Sequence, residues 1–223
     1  MLSRIRQLLS PSRSADQAQF DNIMSMAHAI AENNPAGLHS FVRAILLPIQ
    51  AEQMLAVAER RLHEAPPELE WYVFFFEIFR VATLDELYRC DKPVVSVKLA
   101  RDVVLTTPWH RSRYESALAK IGGGKACGSW RADSNHSLAL CWPWRISFVL
   151  GGNHSIAAGI LDGEGEMTAT DVYDFSHILD RVYCNGTEYR ATAGDALIAR
   201  VDDPRKAAVY EIGRLMIKHS LTS

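Results

Sequence analysis

The chain has 223 residues, enough for one large domain or two small ones. Hydrophobic residues make up 48% and charged residues 22%, the balance of a globular chain with a core, which excludes a disordered or fibrous protein. The net charge of −2 excludes a global basic field for nucleic acid and leaves room only for a local basic patch.

Four cysteines, Cys90, Cys127, Cys141 and Cys184, lie far apart with no CxxC pair. That spacing is neither a zinc pattern nor a dense disulfide framework, and it fits reduced thiols in a cytoplasmic protein. The N-terminal stretch MLSRIRQLLSPSRS is basic but lacks a long apolar run, so it does not read as a secretory signal. Its Leu2, Ile5, Leu8 and Leu9 suit either a short amphipathic docking helix or a frayed end. No apolar run reads as long enough to span a bilayer; the closest, Trp71 to Phe79, is interrupted by Glu77.

Residues 14–89 read as helical. Phe20, Ile23, Met24, Ala27 and Ile30 recur at helical spacing, and Asn33-Asn34-Pro35 ends that segment. A second helix is predicted from Leu38 to Ile45, with Pro48 as a break or a new start. A third runs from Ala51 to His63, rich in Ala, Glu, Arg and Leu. Ala65-Pro66-Pro67 is a linker or the start of the next element. The run LEWYVFFFEIFRVA, Leu69 to Ala82, is predicted as a strongly apolar helix or else a strand, its aromatics forming a buried face or an exposed partner groove. Thr83, followed by Leu84, Asp85 and Glu86, has the form of a helix N-cap with an acidic first turn.

Composition changes near Asp91-Lys92-Pro93. This is the candidate boundary between a helical N-terminal region, residues 1–90, and a mixed α/β domain, residues 91–223. Val94 to Leu99 is the first clear strand, and Arg101 to Thr107 a second extended piece. Pro108 biases Thr107 towards extended backbone, and the helix that follows stops at Gly122 to Gly124. At its start, Trp109, Arg111 and Arg113 suit stacking on a base and gripping a phosphate or carboxylate; solvated arginines opening a helix would look the same. Asp133-Ser134-Asn135-His136 is a polar loop that either reaches the site or simply turns.

The rest of the chain is organised around Trp144 to Ile160, WRISFVLGGNHSIAAGI. Ile146, Phe148 and Leu150 alternate with Arg145, Ser147 and Val149, a strand period, and Ser155 to Ala158 is helix-compatible. Gly151 and Gly152 between them allow a sharp turn and a close approach. A helix starting there aims its first N–H groups and its positive end at one spot, which suits a phosphate or another anion. An ordinary strand-to-helix turn has the same sequence form. Asp162-Gly163-Glu164-Gly165 lacks EF-hand spacing and reads as a solvated turn, so no metal ligands are assigned. Val182 to Tyr189 is predicted as a hairpin about Asn185-Gly186. Asp202-Asp203-Pro204 opens a helix running to about His219, with Ala208, Ile212, Leu215 and Met216 as a core stripe and Glu211 paired with Arg214.

The order strand, Thr107-Pro108-Trp109, Arg111 or Arg113, helix, then a strand ending in Gly151-Gly152-Asn153-His154-Ser155 and another helix resembles the ParB/sulfiredoxin-like fold. The likeness covers roughly Val94 to Ile160. In sulfiredoxins the phosphate loop reads Gly-Gly-Cys-His-Arg; in ParB-type proteins it is Gly-Glu-Arg-Arg, with an upstream Pro…Arg segment facing the nucleotide. Plasmid fertility-inhibition factors share this general fold. The whole chain is also similar to an uncharacterised bacterial family with the signatures TPW, GGNHSIAAG and EIGRLM, a likeness that adds no activity. Asn153 stands where sulfiredoxins carry a nucleophilic cysteine, and a carboxamide cannot be a thiolate, so sulfinic acid reduction is not expected. Ser155 replaces the arginine and removes a fixed positive charge, for which Arg111 or Arg113 would compensate.

The expected fold is therefore α+β, with a helical N-terminal region and a ParB/sulfiredoxin-like C-terminal domain. The resemblance implies a nucleotide or other phosphate ligand held by Gly151, Gly152, Asn153, His154 and Ser155, with Arg111, Arg113 and Trp109 opposite. A nucleoside triphosphatase or nuclease would use His154 as proton donor or phosphate ligand, Asn153 to orient the substrate and an arginine against transition-state charge. Magnesium would then enter with the nucleotide. The alternative for His154 is a structural ring bridging backbone groups. A competing reading is a non-enzymatic interaction protein, related to plasmid or mobile-element inhibitory factors. In it the pocket is degenerate and the helical region binds a protein partner or forms an oligomer. That reading leans on the Trp71 to Phe79 run and loses if the run is buried. DNA binding would rest on ParB likeness alone, against the acidic net charge and the lack of a helix-turn-helix signature.

Overall fold

The computed structural model describes residues 15–60, 69–89 and 94–221. The expectations on Leu2, Ile5, Leu8 and Leu9, on the Ala65-Pro66-Pro67 linker, on Cys90 and on a boundary at Asp91-Lys92-Pro93 lie outside these residues. Among the described residues the chain is α+β, with the helical region first. Helices α1 (Ala15–Asn33), α2 (Gly37–Glu59) and α3 (Leu84–Leu87) precede strands β1 (Ser96–Lys98) and β2 (Val103–Leu105). Then come α4 (Arg111–Lys120), β3 (Ser137–Trp142), β4 (Ile146–Gly151), α5 (Asn153–Asp162), β5 (Glu166–Thr168), β6 (Asp171–Asp174) and α6 (Ser176–Arg181). Strands β7 (Val182–Cys184), β8 (Glu188–Ala191) and β9 (Leu197–Arg200) lead into α7 (Pro204–Lys218).

The central sheet has the order β2-β4-β3-β6. Strands β2 and β4 are parallel, β3 runs antiparallel to β4, and β6 is parallel to β3. Side chains alternate across it, as a two-residue period demands. Ala139, Cys141, Ile146 and Phe148 face a core shared with α1, α2 and α7. Leu138, Leu140, Trp142 and Val104 face a smaller one with Ile156 of α5 and with Val97 and Met167 of the antiparallel pair β1–β5. Strands β7, β8 and β9 form a separate antiparallel sheet.

Three local expectations change. The run Leu69 to Ala82 is not a helix: it follows turns and ends in a short 3-10 turn at Ile78–Arg80. Phe74, Phe75 and Phe76 are all buried, and three consecutive residues spread too widely around a helix to share one face. Instead Trp71 stacks on Tyr173, Phe74 meets Phe148, Phe75 meets Trp144, and Phe76 meets Tyr189. The run is therefore core, and only its Val73 and Phe79 are among the exposed large hydrophobics.

Pro48 neither breaks nor starts a helix; it lies on the exposed side of a continuous α2. A proline in a helix interior costs about 3 kcal/mol. Burial of Ile45, Leu46 and Ile49, with Gln50 Nε2 donating to the Val104 carbonyl at 2.7 Å, offsets it. Helix α2 is also the one described helix long and apolar enough by composition to cross a membrane; it packs on α1, β2 and α7. The β7–β8 hairpin forms, but its two central residues are Gly186 and Thr187. Asn185 precedes them, its N–H donating to the Glu188 carbonyl and its Oδ1 accepting from Thr187 N and Glu188 N.

Other local signals hold. Thr83 and Glu86 form a reciprocal capping box, Asp203 caps α7 with Pro204 in its first turn, and Glu211 pairs with Arg214 at 3.0 Å.

Helix α7 meets the sheet through Trp144, whose buried Nε1 donates to the Val209 carbonyl at 2.6 Å. A Cβ on Gly213 would lie 2.4 Å from that Nε1. Gly→Ala inside a helix normally stabilises by about 1 kcal/mol. Here overpacking against a fully buried indole outweighs that gain, and Gly213→Ala is expected to cost about 1–2 kcal/mol net. A melting temperature roughly 2–8 °C lower, followed by circular dichroism, would bear this out; an unchanged or higher value would not.

Candidate functional site

The loop after β4 sits where β2 and β4, running in parallel, both end. Gly152 takes φ 81°, a left-handed conformation, and its Cβ position would lie 2.2 Å from His136 Cδ2. Glycine is therefore required here for the turn and for the His136 ring. The close approach anticipated at the glycine pair is made by the protein's own polar loop, since Gly151 likewise abuts the Asn135 carbonyl.

The next three side chains each hold a neighbouring segment. Asn153 Oδ1 accepts the Thr107 N–H at 2.7 Å and the Thr106 hydroxyl at 2.9 Å, tying the exit of β2 to the start of α5. His154 Nε2 accepts the His110 N–H at 3.0 Å. His110 in turn caps α4, with Nδ1 accepting from Arg113 N. Ser155 Oγ donates to the Gly152 carbonyl and lies 2.5 Å from His136 Nε2.

These contacts set the protonation chemistry. Nε2 of His154 is an acceptor, so its proton sits on Nδ1 and the ring is neutral. Burial, reinforced by the Arg113 guanidinium and His110, holds this imidazole below the ordinary histidine range. Through Nε2 the His154 ring holds one backbone N–H, that of His110, as an acceptor. His136 Nδ1 accepts the Asp133 N–H at 2.8 Å, so His136 Nε2 carries the proton towards Ser155 Oγ. That polarity holds the serine hydroxyl as an acceptor and does not activate it as a nucleophile.

Beside the loop lies a cleft of about 320 Å³, lined by Arg113, Ser116, Lys120, Gly152, His154, Ser155 and Cys127 among others. Among the described residues two cations line it and no carboxylate does. No side chain caps α5, so its first N–H groups remain for another acceptor. Of the residues assigned from sequence, Arg113, Gly152, His154 and Ser155 meet here. Asn153 is turned to Thr106 and Thr107. Gly151 ends β4. Arg111 pairs with Glu115 at 3.0 Å on the exposed side of α4 and is not among the residues lining the cleft. Trp109 stands near the cleft, 54% exposed, with Arg113 Cζ 5.6 Å from its ring centroid and His154 against it. Sequence reading missed Ser116 and Lys120, although they follow Arg113 at three and seven residues and so share its helix face. Among the described residues no group of three His, Cys, Asp or Glu is poised for a metal ion.

The chain belongs to a family of unknown function, DUF6710, which it matches over residues 6–223. Neither a curated protein nor a solved structure matches it.

Removing the Asn153 side-chain acceptor frees the Thr107 N–H, while the Thr106 hydroxyl keeps the Asn153 backbone carbonyl at 3.0 Å. Asn153→Ala is expected to cost about 1–3 kcal/mol in urea denaturation, whereas Asn153→Asp, which keeps an acceptor oxygen, should lose much less. Equal losses would show that the clamp is not the reason for asparagine.

A second expectation concerns pH. Burial chiefly holds His39, His136 and His154 below the ordinary imidazole value of 6.5. The unfolded chain then binds these protons more readily, so stability is complete above 6.5 and falls as pH drops towards the folded values. The urea midpoint should be lower at about pH 5.5 than at about pH 7.5, with a smaller difference in His154→Asn. An equal difference in parent and variant would contradict a depressed His154.

Proposed function

We propose that this protein binds a nucleotide or a similar phosphorylated small molecule in the cleft at the start of α5. The observation that carries the reading is an uncapped helix start opening on a cleft that, among the described residues, holds two cations and no carboxylate. Helix N–H groups and dipole favour an anion, and Arg113 and Lys120 supply the charge that Ser155 does not. Trp109 offers an exposed aromatic face near the phosphate position for a base. The position at the carboxyl ends of a parallel strand pair is the usual ligand location in α/β sheets.

The order β2, Thr107-Pro108-Trp109, α4, β4, Gly-Gly loop and α5 supports a ParB/sulfiredoxin-like reading of this region. The proposed activity is binding. His154 Nε2 and Asn153 Oδ1 are engaged in holding the backbone, so neither is assigned a proton transfer. Magnesium would arrive with a polyphosphate, held mainly by its oxygens.

Differential scanning fluorimetry with nucleoside mono-, di- and triphosphates, with and without magnesium, tests this. A ligand at a hundred times its dissociation constant stabilises by about 2.7 kcal/mol, a rise of several degrees. Arg113→Ala should lose the rise and Arg111→Ala should keep it. No rise with any nucleotide, or a rise that survives Arg113→Ala together with Lys120→Ala, would refute the proposal.

A further inference from the structure

We infer that a second anion site lies at the opposite end of the same strand pair, and that it holds the phosphate of a small phosphorylated ligand. Strands β2 and β4 begin at Val103 and Ile146, and a cavity of about 470 Å³ opens beside those starts. The six residues of β4 put it roughly 20 Å from the Gly151-Gly152 loop.

Four cationic side chains line this cavity: Arg43 from α2, Lys98 from β1, Arg101 before β2 and Arg145 from the β3–β4 turn. The carboxylate in the lining, Asp102, is committed to its own turn, with Oδ2 accepting the Lys98 N–H at 2.7 Å. Among the described residues none of the four cations makes an ion pair. Unpaired like charges from three stretches of chain, Lys98 and Arg101 sharing one turn, repel one another, and an oxyanion reverses that repulsion.

Two of the arginines carry specific marks. Arg43 Nη2 donates to the Ala100 carbonyl at 2.9 Å, while its buried Nε has no acceptor among the described residues. A buried donor without an acceptor carries a desolvation cost that an incoming oxygen removes. Arg145 sits at φ 59°, a left-handed conformation that is strained for a non-glycine residue. Its guanidinium is braced 5.5 Å from the Trp142 ring centroid, with Nη2 3.4 Å from the Ser96 carbonyl. Strain retained under a charged side chain beside a cavity is the pattern of a binding site.

The lining also selects the ligand class. Three guanidiniums present fork-shaped donors, which match the oxygens of a phosphate better than a point charge does. His39 is held below the ordinary histidine range by burial and by Arg145, so it lines the cavity without adding charge. The volume is that of a small-molecule site, leaving space for an organic group beyond the phosphate.

The test uses the full chain and inorganic pyrophosphate in a phosphate-free, low-salt buffer, with the His39 imidazole resonances followed by NMR. Arg145→Gly removes the charge while keeping the left-handed backbone, and Arg101→Ala alters an exposed residue, so both should fold. His39 is expected to shift saturably in the parent and in Arg113→Ala. The apparent dissociation constant should rise roughly tenfold or more in Arg101→Ala and in Arg145→Gly. A His39 signal that does not move, or a dissociation constant unchanged in both variants, would overturn the inference. Because Arg113→Ala leaves this site intact, failure here is distinct from failure of the α5 cleft.

Discussion

One carboxamide oxygen fixes the geometry on which the candidate cleft depends. Asn153 Oδ1 takes both the Thr107 N–H and the Thr106 hydroxyl, so the end of β2 and the start of α5 cannot move independently. One residue on, His154 Nε2 takes the His110 N–H and sets the start of α4 beside the start of α5. One further, Ser155 meets His136 and closes the loop on its other side. Three consecutive polar side chains thus anchor three neighbouring segments. The groups left for a ligand are backbone N–H donors and the cations of α4, Arg113 and Lys120.

This division of labour explains how far the sequence could be read. The strand, glycine pair and helix from Ile146 to Asp162 were legible because each signal is local: a two-residue period, a positive φ and small helix-compatible residues. Asp203-Pro204 and the Thr83 N-cap were legible for the same reason. The aromatic run was not, because Trp71, Phe74, Phe75 and Phe76 are placed by Tyr173, Phe148, Trp144 and Tyr189, all distant in sequence. The choice between Arg111 and Arg113 needed the rotation of α4 relative to α5. The Glu115 partner four residues after Arg111 was the local hint that Arg111 points elsewhere. The basic cavity is assembled from three segments, and no periodicity in any one of them announces it.

Both proposed sites draw on one architectural fact. A parallel pair places both strand ends together, so connections cluster at each end of β2 and β4. At the carboxyl end the loop leads into an uncapped helix, and the proposed anion would meet its backbone dipoles together with Arg113 and Lys120. At the amino end the proposed anion would meet side chains, Arg43, Arg101 and Arg145 among them. With a net charge of −2 the protein has no general attraction for polyanions, so both sites depend on local charge.

The most direct measurement is a nucleotide titration followed through the backbone amide resonances of Asn153, His154 and Ser155. If the start of α5 receives the phosphate, these three amides shift first and furthest, and they saturate together. Nucleotide binding that leaves all three unmoved while other amides shift would contradict the account.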